Sequence, residues 1–371
     1  MKFTASSSVL LKHLQQISGV ISTNSVLPVL EDFLFDVNKN TLTVTATDLE
    51  TVMRIQVEIT STETGKVCIP SKVLLEVLKN LPDQPLTFSV ENNYAIEITS
   101  SSGKYRIVGE TPDNFPKEPV ADDAQEIAMK GEALVTAINK TLFAVSNDDL
   151  RPAMTGVYFE LTTDAVQFVA TDAHRLVRYK RTDAKAISAA SFIVPKKPLN
   201  LLKNVLPDTE DEVKLSYNAS YLFVEFKTSS LICRLIDARF PDYKVVIPAE
   251  NPYHMVIDKG LFQNALRRIN VFATKSTNQV ALTISGTELQ LAAQDIDLSF
   301  EGNETLSCEY NGEDIKIAFN AKFLIEMLNA ADTSNIRLEL STPNKAGLIK
   351  PTEVGADEDL LMLVMPLMLN S

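Results

Sequence analysis

A chain of 371 residues exceeds one comfortable hydrophobic core and predicts two or three domains. With 45% hydrophobic and 22% charged residues it is composed as a soluble globular protein, and a formal charge of −13, if evenly spread, argues against nucleic acid as a partner. Cys68, Cys233 and Cys308 lie far apart without a CxxC pair, which suggests neither a disulfide framework nor a zinc site and fits a reducing, cytoplasmic compartment.

Residues 1–16 lack the uninterrupted apolar core of a signal peptide. The helical spacing of Leu10, Leu14, Ile17 and Ile21 predicts an amphipathic helix over 6–22. Alternating residues over 41–45 and 54–59 read as strands. The string Ile69-Pro70-Ser71-Lys72, with proline placed for a first helical turn, opens a helix over 71–81. The Pro- and acid-rich stretch 112–126, carrying Phe115-Pro116, reads as a linker.

Each landmark then returns. Leu134, Ile138, Leu142 and Val145 mark a helix over 131–147, and Val194-Pro195-Lys196-Lys197 opens one over 195–206. Alternation marks a strand at 221–226, and Phe240-Pro241 heads a second linker, 241–252. A third round brings Phe262, Leu266, Ile269 and Ala273 on a helix over 259–275, then Phe319-Asn320-Ala321-Lys322 before a helix over 321–331. Ala46-Thr47-Asp48, Ala170-Thr171-Asp172 and Ala293-Gln294-Asp295 recur in the same order, their aspartates 124 and 123 residues apart. Lys72, Lys197 and Lys322 follow in two steps of 125, and the Phe-Pro pairs also stand 125 apart. Independent landmarks with matching periods define three domains, 1–122, 123–250 and 251–371. The fold class is α+β, with two helices on antiparallel sheet in each repeat. The chain's longest apolar run, 360–369, is shorter than the roughly 20 residues of a membrane span. It is a buried strand, an exposed sticky patch, or both.

The six predicted helices hold twelve basic residues against three acidic ones, so +9 sits on them and −22 on the remainder. Lys72 with Lys79, and Lys196 with Lys203, are seven apart and share a helix face. Equivalent helices would line one common surface if the domains were arranged around an axis. Such a surface suits the phosphate backbone without base readout, and an acidic exterior would repel DNA elsewhere. The plainer alternative is that lysines decorate the solvent face of amphipathic helices.

No G-x-G-x-x-G, Walker, H-E-x-x-H or G-x-S-x-G motif is present. Of three histidines, His13, His174 and His254, only His174 has a promising neighbour, Asp172. That aspartate recurs in repeats lacking the histidine, which favours a turn cap over acid–base catalysis. A repeat scaffold that closes no ring, and a hydrolase using Asp172 and His174, remain the competing readings.

Met1-Lys2-Phe3-Thr4, Leu10-Leu11-Lys12, Leu14-Gln15-Gln16, Leu27-Pro28-Val29-Leu30 and Thr47-Asp48-Leu49-Glu50 resemble the β subunit of bacterial DNA polymerase III. Thr171-Asp172-Ala173-His174-Arg175-Leu176, Arg239-Phe240-Pro241-Asp242-Tyr243 and Val364-Met365-Pro366 extend the resemblance along the whole chain. It implies a head-to-tail homodimer whose six domains form a closed ring, helices inside and sheets outside, with the chain acting as a non-catalytic sliding clamp. Its partners would be double-stranded DNA, read without sequence preference, an ATP-driven clamp loader, the DNA polymerase III α subunit and other proteins carrying a clamp-binding motif. No cofactor, metal or membrane is implied, and the place of work is the cytoplasm, at the nucleoid.

The residues expected at DNA are Lys12, Lys72, Lys79, Arg151, Lys196, Lys197, Lys203, Arg267, Arg268 and Lys275. The resemblance places a peptide-docking pocket on Met154, Thr171, His174, Arg175, Leu176 and Pro241, together with Val246, Asn320, Phe323, Val364, Met365, Pro366 and Leu369. Within it the apolar C-terminal run forms a wall and Leu176 a floor, while His174 and Arg175 hold polar atoms of the peptide. Tyr105, Val271 and Phe272 fall on subunit-contact positions, although Phe272 also suits an ordinary core. Val245 and Met368 stand where the family carries arginine, Thr277 where it carries an aromatic, Ala173 where it carries glycine, and Asn24 where it carries a DNA-contacting arginine. These departures bear on peptide preference and on one loop's role at DNA.

Overall fold

A computed structural model describes residues 1–22, 27–206 and 211–369. Asn24, Asn370 and Ser371 lie outside the described residues. Among the described residues six α-helices appear where the apolar period places them: α1 (Ser7–Ser18), α2 (Ser71–Lys79), α3 (Gly131–Thr141), α4 (Lys196–Val205), α5 (Lys259–Ile269) and α6 (Ala321–Ala330). Three of them, α1, α5 and α6, start on short polar side chains. Ser6 accepts from the Val9 amide, Asp258 from Leu261 at 2.7 Å, and Asn320 from Lys322 at 2.9 Å.

The ends fall earlier than the apolar spacing predicts. α3 and α5 each tighten into a 3-10 turn, Leu142–Ala144 and Asn270–Phe272, and α1 stops before Gly19. Ala273 and Val20 stay buried without being helical, because a tightened turn keeps a side chain on the same side. Lys275 therefore sits beyond α5, in a turn.

The chain folds into two compact units, residues 1–135 with 197–235 and residues 136–196 with 236–371. The expected middle domain, 123–250, is divided between them, because its strands are hydrogen-bonded into two different sheets. In the first unit an eight-stranded sheet runs in the order 64–70, 32–38, 41–47, 51–58, 229–234, 221–226, 212–217, 125–130. The second unit's nine-stranded sheet runs 190–195, 156–161, 166–171, 175–181, 358–364, 347–351, 335–340, 253–258, 309–311. Each unit also has a four-stranded sheet. One runs 2–6, 85–90, 95–99, 104–108, and the other 300–307, 288–295, 279–285, 315–320.

The long sheets have matching seams between repeats. The strand after the first acidic turn, 51–58, pairs antiparallel with 229–234, Met53 opposite Leu231. The strand after the second, 175–181, pairs antiparallel with 358–364, Val177 opposite Met362. The strand after the third acidic turn, 300–307, and the remaining strand of the other series, 104–108, are both sheet edges. Helices cover one face of the sheets: Leu10, Leu14 and Ile17 in the first unit, and Phe262, Leu266 and Ile269 in the second, lose nearly all contact with solvent. Phe3 stacks on Phe88 with centroids 4.7 Å apart beneath them.

Candidate functional site

The three recurring aspartates are turn caps. Asp48 Oδ1 accepts from the amides of Glu50 and Thr51 at 3.1 and 2.6 Å, and Asp172 Oδ1 from His174 and Arg175 at 3.0 Å each. In both turns the preceding threonine hydroxyl accepts the next amide, and Leu49 and Ala173 take left-handed backbone angles, φ +78° and +75°. Asp295 caps a longer turn through Leu298. This accounts for Asp172 without any proton-transfer role.

Around the second turn the expected docking residues separate into frame and surface. Arg175 belongs to the frame. It is 7% exposed, and its guanidinium donates to Asp172 Oδ2 at 3.0 Å, to the Phe143 carbonyl at 2.6 Å and to the Glu326 carboxylate. It also lies over the Phe323 ring, 4.4 Å from the centroid. Three of its five N–H donors are thus spent inside the fold, and Arg175 ties the turn to α6. Thr171 is buried, its hydroxyl donating to the Arg175 carbonyl at 2.7 Å. Val364 is wholly buried opposite Arg175, and Asn320 spends its side-chain oxygen on the α6 cap.

The surface is formed by the others. His174 is exposed and stacked at 6.4 Å on Phe323, while its carbonyl accepts the Met365 amide at 2.8 Å. Leu367 is likewise tied to the Ala318 carbonyl, which holds the C-terminal segment beside this turn. The run 360–369 is both alternatives at once: a buried strand through Val364, then Met365 and Met368 at 41% and 86% exposure. Pro366 and Leu369 are half-buried, as is Met154, whose carbonyl accepts from Ser146. Leu176, the expected floor, is buried in a cluster with Val169, Phe240, Tyr243, Leu361 and Leu363, and Pro241 and Val246 are exposed on the chain around Phe240 and Tyr243.

Sequence reading missed the aromatic stack that stiffens this floor. Tyr158 lies 4.5 Å from Phe240, and Tyr243 donates its hydroxyl to Glu160 at 2.7 Å. Burial alone would raise the Glu160 carboxyl, but the bonds from Lys244 and Tyr243 bring it net below its ordinary value. It also missed Glu326, although one of only three acids on six helices was a usable cue.

The basic residues divide in the same way. Lys12, Lys72, Lys203 and Lys275 are exposed and have no acceptor among the described residues. Among the described residues Arg267 donates to the amide oxygens of Asn264 and Asn329. Lys79 pairs with Glu76, Arg151 with Asp148, and Arg268 makes two bonds to Glu304 at 2.7 and 2.8 Å. Lys196 is bonded to Asn147, and Lys197 is held by Asp48, Ser22 and the Val20 carbonyl. Lys140, one of the twelve helix cations, is buried between Asp332 and Glu358. The positive helix surface is therefore sparser than the sequence implies, because several of its charges are neutralised within each unit.

At the two sheet edges, Val271 and Phe272 are 62% and 37% exposed, so Phe272 is not core. Its ring covers Gly302 of the edge strand, where a Cβ would lie 2.7 Å from it. Tyr105 is half-buried on the edge strand Lys104–Val108, whose last residue, Val108, is exposed. Among the described residues no group of three or more His, Cys, Asp or Glu could hold a metal ion, and no helix is long and apolar enough to cross a membrane.

Three family models match in succession, described as the DNA polymerase III beta subunit N-terminal domain over residues 1–119, central domain over 128–242 and C-terminal domain over 244–368. Curated relatives named "Beta sliding clamp" include one from Vibrio cholerae, 27% identical, and one from Synechococcus elongatus, 28% identical, each aligned over 100% of both chains. Among solved structures, a DnaN sliding clamp from Pseudomonas aeruginosa bound to griselimycin superposes with a TM-score of 0.95 at 26% identity, covering 100% of both chains. The DNA polymerase III beta subunit of Thermotoga maritima gives 0.91 at 27%, again over 100% of each.

Proposed function

The chain belongs to the DNA polymerase III beta subunit family, and from that premise we propose that two copies close head to tail into a ring that slides on duplex DNA. The family is a non-catalytic accessory subunit of the polymerase, and this chain is a sliding clamp in that sense. The observation that carries the ring is the unfinished third seam. Each repeat supplies a strand after its acidic turn and a strand to receive one, and two of the three pairings are made within the chain. The third leaves 300–307 and 104–108 as open edges, and open edges pair with another chain unless blunted. Pairing each with the other's counterpart in a second copy closes the series in both directions, with Val271 and Phe272 meeting Tyr105.

In this reading the domains are 1–122, 123–250 and 251–371, and Lys12, Lys72, Lys203, Arg267 and Lys275 supply the mobile positive charge at phosphates. Lys79, Arg151, Lys196, Lys197 and Arg268 contribute through ion pairs and bonds that DNA would have to reorganise. The peptide of a polymerase or loader lies across Leu176, Pro241, Val246, Phe323 and Met365, with His174 and backbone groups meeting its polar atoms. The protein works in the cytoplasm, at the nucleoid.

A topological link is tested by topology. Protein loaded onto nicked circular DNA is expected to survive a high-salt wash, which strips contacts made only by charge, and to leave once the circle is cut. Retention on linear DNA, or loss from the intact circle, overturns the ring.

A further inference from the structure

We propose that the first repeat carries a second recognition site, a cavity that takes the phenol ring of a tyrosine on an extended, acid-flanked segment of a partner protein. The cavity measures about 470 Å³, within the range of roughly 300–1,000 Å³ usual for ligand sites. It opens on the outer face of strands 32–38, 41–47 and 51–58, beside the Phe115-Pro116 segment.

The second repeat shows what this place is shaped for. The two repeats align by strand pairing, Leu34 opposite Cys68 where Tyr158 is opposite Ile193, and Asp36 opposite Lys66 where Glu160 is opposite Ser191. In the second repeat the same face is filled by the chain itself. The Tyr243 ring packs edge-on against Tyr158 and Phe240 at 6.4 Å from each, and its hydroxyl donates to Glu160. In the first repeat Phe115 stands for Phe240 and Asp36 for Glu160, so the aromatic wall and the carboxylate acceptor are both retained. The ring is not. Glu118 occupies the place of Tyr243, three residues after the phenylalanine in each case, and turns to an ion pair with Arg54. Leu34 replaces the bulkier Tyr158 and widens the opening.

The lining chooses among ring-bearing ligands. Asp36 pairs with Lys66 at 2.8 Å from its Oδ2 and retains capacity to accept from a phenol. Arg54, Lys66 and Lys117 outnumber Asp36 and Glu118 around the mouth, and Lys117 is exposed without an acceptor among the described residues. An acidic residue next to the tyrosine meets that excess charge.

The test uses the full chain, methyl-labelled, titrated with N-acetyl-tyrosinamide and separately with N-acetyl-phenylalaninamide. The tyrosine probe is expected to shift the Leu34 methyl signals saturably, about tenfold more tightly than the phenylalanine probe, which lacks the hydroxyl. Glu118→Tyr should fill the cavity from within, raising the melting temperature and abolishing the Leu34 shift. If E118Y does not fold, Asp36→Ala decides, since with the acceptor removed the two probes should then bind alike. No saturable shift at Leu34, shifts confined to Leu176, equal binding of the two probes to the unmodified chain, or undiminished binding to folded E118Y would each overturn the proposal.

Discussion

The turns at 47–51 and 171–175 share one backbone and differ in what hangs from it. Each has a threonine and an aspartate folding the chain back, and a residue at positive φ between them. In the first, the spare Asp48 oxygen reaches Lys197, an exposed-side ammonium already held by the Val20 carbonyl. In the second, the spare Asp172 oxygen holds Arg175, which is buried and reaches on to Phe143 and Glu326. Repetition fixed the scaffold, while the side chains two and three positions past the aspartate set one copy apart: His174 stacks on Phe323 and Arg175 ties the turn to α6, beside the docking site proposed above. Function here is a local divergence on a shared frame.

The largest expected effect comes from removing what only the second turn has. Deleting residues 365–371 takes away the segment bonded to the His174 and Ala318 carbonyls, while the buried strand through Val364 stays. Ring closure on circular DNA should persist and polymerase stimulation should vanish. Stimulation that survives the deletion would move the docking pocket elsewhere. Next in size is the contrast between the two caps. Asp172→Ala leaves two amides and part of a buried guanidinium unmet and should cost about 3 kcal/mol in urea unfolding. Asp48→Ala should cost about 1–2 kcal/mol, since the Lys197 side chain is 41% exposed and keeps other acceptors. Equal losses would mean that Arg175 is not the pin described.

A third contrast sits one strand earlier. Asp32 is buried where the second repeat has Gly156, and burial, followed by the charges of Glu110 and Glu31, pushes its carboxyl up to about 6 from 3.8. A raised folded-state value means the fold prefers the protonated acid, so this group's contribution worsens as pH rises from 3.8 to about 6 and is level above that. Asp32→Asn should raise the melting temperature at pH 8 and give a gain that shrinks to nothing near pH 4. A gain that grows on acidification would reverse the assignment.

Much of this was legible in the sequence because it is carried by spacing. The repeats, the six helices and the turn aspartates follow from apolar period and recurrence. The fate of individual charges was not, because their partners are remote. Arg175 meets groups 32 and 151 residues away, and Lys140 meets one 218 away, so each looked available when read alone. The cavity of the first repeat was equally hidden, since Glu118 for Tyr243 is an unremarkable difference until Asp36 and Phe115 are seen to be kept.

The smallest effect probes the backbone the two turns share. Leu49 and Ala173 both carry a Cβ in the left-handed region, which costs about 1 kcal/mol for an ordinary residue and nothing for glycine. Glycine also enlarges the freedom of the unfolded chain, which returns part of that gain. Ala173→Gly should therefore stabilise by about 0.5 kcal/mol, and peptide affinity should hold, because the methyl points to solvent and none of the turn's hydrogen bonds involves it. Leu49→Gly should gain less, since it also gives up the half of the leucine side chain that is covered. If Ala173→Gly destabilises instead, the positive angle at this turn is not strained, and the two turns are less alike than their hydrogen bonds make them.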